Sequence, residues 1–255
     1  MNNKWKWSAQ LGVVLLCALG LKAFYSTASP DELRWILAPT TWLVELASGQ
    51  SFNFEAHSGY MSSDHSFLIA ASCAGVNFLI AAFLMLALKR LWEGRFETIG
   101  RALVPISLLV AYATTIVTNT VRICVALRLK ALQHEITWLS PGQLHRAEGI
   151  LIYFAFLFLL YFLTERERKG RNLLRQSLVP MAFYYATTLG LPLVNGAYKR
   201  GLEFWQHTIF VLLLPLLLMI PVSLVRYLMR WDAHAAMKLC RSVLSFTPGF
   251  SLRRR

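Results

Sequence analysis

Three short stretches of the chain carry side chains that could act together on a carbonyl group: Cys73-Ala-Gly75, Asn119-Thr-Val-Arg122 and His145-Arg-Ala-Glu-Gly149. A thiolate attacks an acyl carbon readily, but a neighbouring cation or base has to generate it. His145 could take that proton and later return it to a leaving amine. Arg122 could stabilise the oxyanion of the tetrahedral intermediate, which is worth about 3 kcal/mol per donor in a water-excluded site. Asn119 or Asn77 could add a further hydrogen bond or fix the guanidinium. The chemistry that uses these groups together is acyl transfer through a thioester.

The elements that must position them are membrane helices. The chain has 255 residues, is 56% hydrophobic and only 15% charged, and contains several long apolar runs, the composition of a multi-spanning membrane protein. The bilayer domain uses up this length, and no Gly/Ser-rich or Pro-rich linker sets off a soluble enzyme domain. The formal charge of +13 is explained by Lys/Arg-rich cytoplasmic loops, so no nucleic-acid partner is expected.

An apolar run from Leu11 to Phe24 follows Lys4 and Lys6. Ser26-Thr27-Ala28 would suit a signal peptidase, but the rest of the chain must insert too, which favours an uncleaved anchor. Residues 33–48 hold Arg34, Pro39 and Glu45 and read as an interrupted, interfacial or re-entrant segment. If they do not span, the basic loops 89–101 and 164–176 and the tail from Arg226 join the amino terminus in the cytoplasm. That arrangement puts 18 of the 26 basic residues inside, as the positive-inside rule prefers.

The expected fold is therefore all-α, a polytopic membrane bundle of about six spans at 8–26, 66–88, 102–126, 147–163, 178–197 and 207–229, with both termini cytoplasmic. It divides into a first helix with an outer segment (1–65), a three-span catalytic core (66–163), a basic loop with two further spans (164–231) and a basic tail (232–255). The last two spans contain Pro180, Pro192, Pro215 and Pro221 and show no chemistry. Attraction to anionic membrane lipids accounts for the tail.

Helical rise puts Cys73 about 10 Å below the outer edge of its span and Arg122 about 8 Å from the outer end of the next. His145 stands at the outer mouth of the one after. All three fall in one outer layer.

Each residue has a plainer reading. Free cysteine commonly packs as a small hydrophobe, and Cys17 is read that way. Cys73 differs in its company, with Asn77 at i+4 and Arg122 at its depth. Cys124 points elsewhere and is a packing residue or a disulfide partner of Cys73. Arg122 could snorkel, yet a guanidinium in an apolar span costs at least about 2.5 kcal/mol and is functional by default. The stripe Thr115, Thr118, Asn119 and Arg122 argues that this face meets protein. His145 gains weight from Glu148, which could orient the imidazole, and from Gly149, which permits close approach of a helix or substrate backbone. His57, His65, His134 and His145 lack metal-ligand spacing, so neither metal nor cofactor is called for.

At these residues the chain resembles the exosortase/archaeosortase family of membrane cysteine transpeptidases. Cys73-Ala-Gly75 is similar to its Cys-Ser-Gly-like motif, Asn119-Thr-Val-Arg122 to its Asn-x-x-Arg motif, and His145-Arg-Ala-Glu-Gly149 to its His-x-x-x-Gly motif, in the same order. Ala74 departs from the common Ser without touching the nucleophile. The resemblance covers residues 66 to about 163. It implies Cys73, Arg122 and His145 as catalytic residues, with Asn119, Asn77, Glu148 and Gly149 in support. It also implies as substrates secreted proteins whose carboxy-terminal tail joins a short motif such as Pro-Glu-Pro, a transmembrane helix and a basic cluster. These would be cut near the outer membrane boundary and passed to an unknown acceptor nucleophile. Two other classes stay open: a small transporter with Arg122 lining an anion path, and a non-enzymatic scaffold for secretion or polysaccharide assembly.

Overall fold

The structure is a computed structural model and describes residues 3–93, 102–131, 140–165, 173–194, 199, 201–202 and 204–220. The tail 232–255, most of both basic loops and the end of the expected sixth span lie outside the described residues.

Among the described residues four helices are long and apolar enough to cross a membrane: Trp5–Thr27, Ala71–Trp92 with its leading turn, Leu103–Lys130 and Gly142–Thr164. Central among them is α3 (Val76–Trp92), whose Phe78, Leu79, Ile80, Phe83, Met85 and Leu86 are all buried. A helix that is apolar all round belongs inside a bundle. Against α3 pack α1 (Asn3–Thr27), α4 (Leu103–Ala131), α5 (Pro141–Thr164) and α6 (Leu173–Tyr185). At one end of α3, Lys89 meets Glu165 at 3.5 Å and lies 4.6 Å from the Tyr161 ring centre, which ties α3 to the end of α5.

Residues 33–48 do not break at Pro39. They form one helix, α2 (Arg34–Ser48), whose Ile36, Leu37, Thr40, Thr41 and Val44 are buried and which packs on α4. Proline lacks the N–H that would satisfy the carbonyl four residues earlier. That carbonyl, on Trp35, instead accepts a hydrogen bond from the Tyr112 hydroxyl at 2.7 Å, and the Trp35 and Tyr112 rings stack at 5.7 Å. A neighbouring side chain thus repairs the gap. At about 22 Å, a helix of this length is too short to cross a bilayer.

The all-α expectation also needs correction between α2 and α3. A small antiparallel sheet stands there, ordered β1 (Phe52–Glu55), β2 (Gly59–Ser62), β3 (Leu68–Ile69). Phe52 pairs with Ser62 and Tyr60 with Ile69. Residues 66–75, expected in the second span, supply a strand and a turn: pairing with β2 buries Ile69 and leaves Leu68 exposed, an outcome that a short apolar run leaves open.

The fifth expected span is helical without a break from Leu173 to Val194, but it is not a regular α-helix. α6 ends at Tyr185 and passes through a π turn (Ala186–Gly190) into α7 (Leu191–Val194). The last described helix is α8 (Phe204–Ile220). Residues up to Pro215 form one compact unit, and Leu216–Arg255 separates as a second.

Candidate functional site

Cys73 ends a 3-10 turn (Ala71–Cys73) that leads into α3, and it is buried. It therefore lies ahead of the helix and not seven residues deep in one, and the expectation that Asn77 shares a helix face with it fails. Asn77 is the second residue of α3, and its Oδ1 accepts from Lys22 Nζ at 2.9 Å. Between turn and helix sits Gly75 with φ 69°, in the left-handed region that favours glycine. A Cβ there would also fall 2.6 Å from Asn119 Nδ2. Glycine is required twice over, for the backbone bend and for the approach of Asn119.

That approach has a purpose. Asn119 Nδ2 donates to the Cys73 carbonyl at 2.7 Å, while its Oδ1 accepts from the Tyr153 hydroxyl at 2.6 Å. Tyr153 in turn accepts from an Arg122 guanidinium nitrogen at 2.8 Å. The other terminal nitrogen of Arg122 lies 3.0 Å from His145 Nε2. One hydrogen-bonded chain thus runs from the backbone of the cysteine to the imidazole, across α3, α4 and α5. The polar stripe on α4 faces protein: Thr115, Thr118, Asn119 and Arg122 are all buried.

A guanidinium can only donate, so His145 Nε2 accepts and the neutral ring carries its proton on Nδ1. Nδ1 faces Glu148 Oε1 at 3.3 Å, and Glu148 is buried one turn along the same helix. The N-terminal capping box of α5, in which the Ser140 hydroxyl accepts from the Gln143 N–H and Gln143 Oε1 from the Ser140 N–H, starts the helix ahead of His145. The imidazole consequently stands in the second turn of a helix and not at its mouth. Arg122 lies close against α5 at Gly149, where a Cβ would meet Nε at 3.4 Å, an ordinary contact distance. Burying Arg122 costs at least about 2.5 kcal/mol. Hydrogen bonds to a charged group return about 1.5–3 kcal/mol each, and Arg122 has two besides the Tyr153 ring face at 5.4 Å.

The structure brings Cys73, Asn119, Arg122, His145, Glu148 and Gly149 into one cluster and leaves Asn77 at its edge, tied to α1. It does not pair the thiol with the imidazole: the Cys73 thiol has no hydrogen-bond partner among the described residues. Cys73 and Cys124 are both free, which removes the disulfide alternative. Beside the cluster lies a cavity of about 470 Å³ lined by Ser72, Gly75, Arg122, His145, Gly149 and Tyr153, among others. Cys73 is not among its lining residues. A second cavity of about 160 Å³ lies on the other side of His145, between Phe67, Lys130 and Glu148.

Sequence reasoning missed Tyr153, although His145, Gly149 and Tyr153 follow one another at i, i+4 and i+8 on one face of α5. It also found no chemistry in the carboxy-terminal helices, whose Tyr184, Thr187, Thr188 and His207 line the larger cavity.

Comparison of the chain with protein-family models, with curated proteins and with solved structures finds no match.

Proposed function

We propose that this protein is a membrane-embedded cysteine peptidase or transpeptidase of the exosortase type, with about six spans and its sheet end at the outer face of the cytoplasmic membrane. The observation that carries the reading is the hydrogen-bonded chain from the Cys73 carbonyl through Asn119, Tyr153 and Arg122 to His145. It links the three motifs that resemble the family, one from each of three helical segments, and a set of unrelated packing residues has no reason to be wired in that order.

In the proposed reaction a secreted protein presents the peptide bond just outside its own carboxy-terminal membrane helix. The Cys73 thiol gives its proton to His145 Nε2, and the sulfur attacks the carbonyl carbon. Arg122, released from His145 by the entering substrate, stabilises the oxyanion. The C–N bond breaks, the imidazolium protonates the departing amine, and the acyl group stays on sulfur as a thioester. Water or an acceptor nucleophile then takes the acyl group and restores the thiol. Closure of the gap between Cys73 and His145 belongs to substrate binding, as catalytic hydrogen bonds often tighten only in the complex.

The test is carboxy-terminal processing of a tripartite-tailed surface protein in the native host, followed by immunoblot and terminal mass analysis. Cys73→Ala should leave uncut, membrane-retained precursor while Cys17→Ala processes normally. The basic residues around the cavity favour one second reading, an anion transporter. On that reading Cys73→Ala is silent and Arg122→Ala is not.

A further inference from the structure

The cavity of about 470 Å³ has one electrostatic character. Arg122, His145, Arg146 and His207 line it, and no carboxylate does among the described residues. Glu148, the nearest acid on α5, lines the smaller cavity instead. Ser72 and Tyr184 add hydroxyls, while those of Tyr25, Thr187 and Thr188 already donate to main-chain carbonyls. Arg122 is more than nine-tenths buried, and its Nε–H has no hydrogen-bond partner among the described residues. That Nε lies 3.4 Å from where a Gly149 Cβ would stand, and Gly149 is itself part of the cavity wall. A buried donor left unpaired is costly, and the fixed charge of Arg122 with Arg146 beside it, facing no carboxylate among the described residues, describes a site for an oxyanion.

The wall contributed by α8 indicates where that oxyanion comes from. His207 is half-buried and turned to the cavity, whereas its neighbours Trp205, Ile209, Leu212 and Leu213 are exposed. In the proposed membrane these apolar neighbours meet lipid, and Trp205 has the residue type that collects at headgroup level. Val76, Phe78, Ala81 and Ile150 give the same cavity an apolar side.

We propose that this cavity binds the phosphate oxyanion of a membrane phospholipid, with Arg146 and His207 contacting the phosphate, the charge of Arg122 beneath it and the apolar side taking the upper part of an acyl chain. The shared chemistry is that of any phosphate ester or free phosphate, and the lipid is the committed source. This binding does not depend on the cysteine chemistry and can fail or hold separately from it.

The experiment is native mass spectrometry of the full chain in detergent, titrated with phosphatidylglycerol, with diacylglycerol and with inorganic phosphate. Phosphatidylglycerol should bind and diacylglycerol should not. Arg146→Gln combined with His207→Gln should weaken phosphatidylglycerol on the order of tenfold or more, Arg146→Lys should retain most of the affinity, and Arg90→Gln at the far end of α3 should change nothing. Equal binding of phosphatidylglycerol by wild type and double variant, with both eluting as folded monodisperse species, would overturn the site. Equal binding of diacylglycerol would reduce it to an apolar pocket, and inorganic phosphate binding as tightly as the lipid would move the ligand to solution. Each of those outcomes refutes the proposal.

Discussion

Tyr153 donates its phenolic hydrogen to Asn119 Oδ1 at 2.6 Å, and through that bond α5 holds the side chain that in turn holds the Cys73 carbonyl. The phenol is held from two further sides. It accepts from Arg122 at the same time and stacks on Phe78 at 5.2 Å.

On the proposed reading Tyr153 is a positioning residue, and removing its hydroxyl should misplace both partners. Tyr153→Phe is expected to lower the turnover of a reconstituted peptide-cleavage assay about 10- to 100-fold, the equivalent of one or two hydrogen bonds to charged or buried groups. KM should change little, because the ring and its contact with Phe78 remain. A fall in KM-linked binding with unchanged turnover would contradict the positioning role.

Gly75 should tolerate no side chain. Gly75→Ala forces an L-residue to φ 69° and pushes a methyl group into Asn119. Strain of this kind costs about 1–3 kcal/mol before the clash is counted. The expected result is a lower thermal midpoint together with loss of processing, and an unchanged midpoint in a purified sample would contradict the described backbone.

Glu148 is expected to act through the imidazole. With Glu148→Gln the side chain keeps its shape beside His145 Nδ1, but the negative charge that would steady an imidazolium is gone. Turnover should fall about tenfold, the difference between a charged and a neutral acceptor, and Glu148→Ala should cost more. Equal rates for wild type and Glu148→Ala would remove the carboxylate from the mechanism.

Tyr112 and Pro39 should show coupled stability. Tyr112→Phe leaves the Trp35 carbonyl without its donor, for about 0.5–1.5 kcal/mol. Pro39→Ala restores an N–H to the helix and supplies that carbonyl from within. The double variant should therefore lose less than Tyr112→Phe alone, which a double-mutant cycle on thermal unfolding would read out. Additive effects would mean that the tyrosine does not compensate for the proline.

The turn between β2 and β3 carries the acid sensitivity that can be assigned. Asp64 accepts from the Ser62 hydroxyl at 2.6 Å and from the Ser66 N–H at 3.1 Å, and these donors bring its carboxyl from 3.8 down to about 2. A depressed carboxylate stabilises the fold above its unfolded pKa, and the contribution disappears as pH falls through the folded value. Order in residues 62–67 should thus hold at pH 5 and loosen between about pH 4 and pH 2. Hydrogen exchange at Ser66 and Phe67 would follow it, and Asp64→Asn should flatten the dependence.

That the chain carries helices long and apolar enough to span, and that its polar groups share helix faces, was legible in the residues. Apolar runs of bilayer length can only be buried in lipid or in one another, and Arg122 in such a run must have partners. Thr115, Thr118, Asn119 and Arg122 share a face by helical periodicity alone, so their burial followed from spacing. The relation of Glu148 and Gly149 to His145 was legible for the same reason, since three and four residues make one turn.

What the sequence could not decide was where α3 begins. Ser66 to Leu88 is mostly apolar, and a mostly apolar run has no clear period with which to separate strand, turn and helix. Pairing of Leu68 and Ile69 with β2 and the left-handed bend at Gly75 settle it, and they lift Cys73 out of the helix. The same holds for Pro39, whose cost depends on a tyrosine 73 positions later. Tyr153 and His207 belong to the site only because distant helices fold against α3 and α5. Local spacing fixed which groups share a helix face, and only long-range packing decided which faces meet.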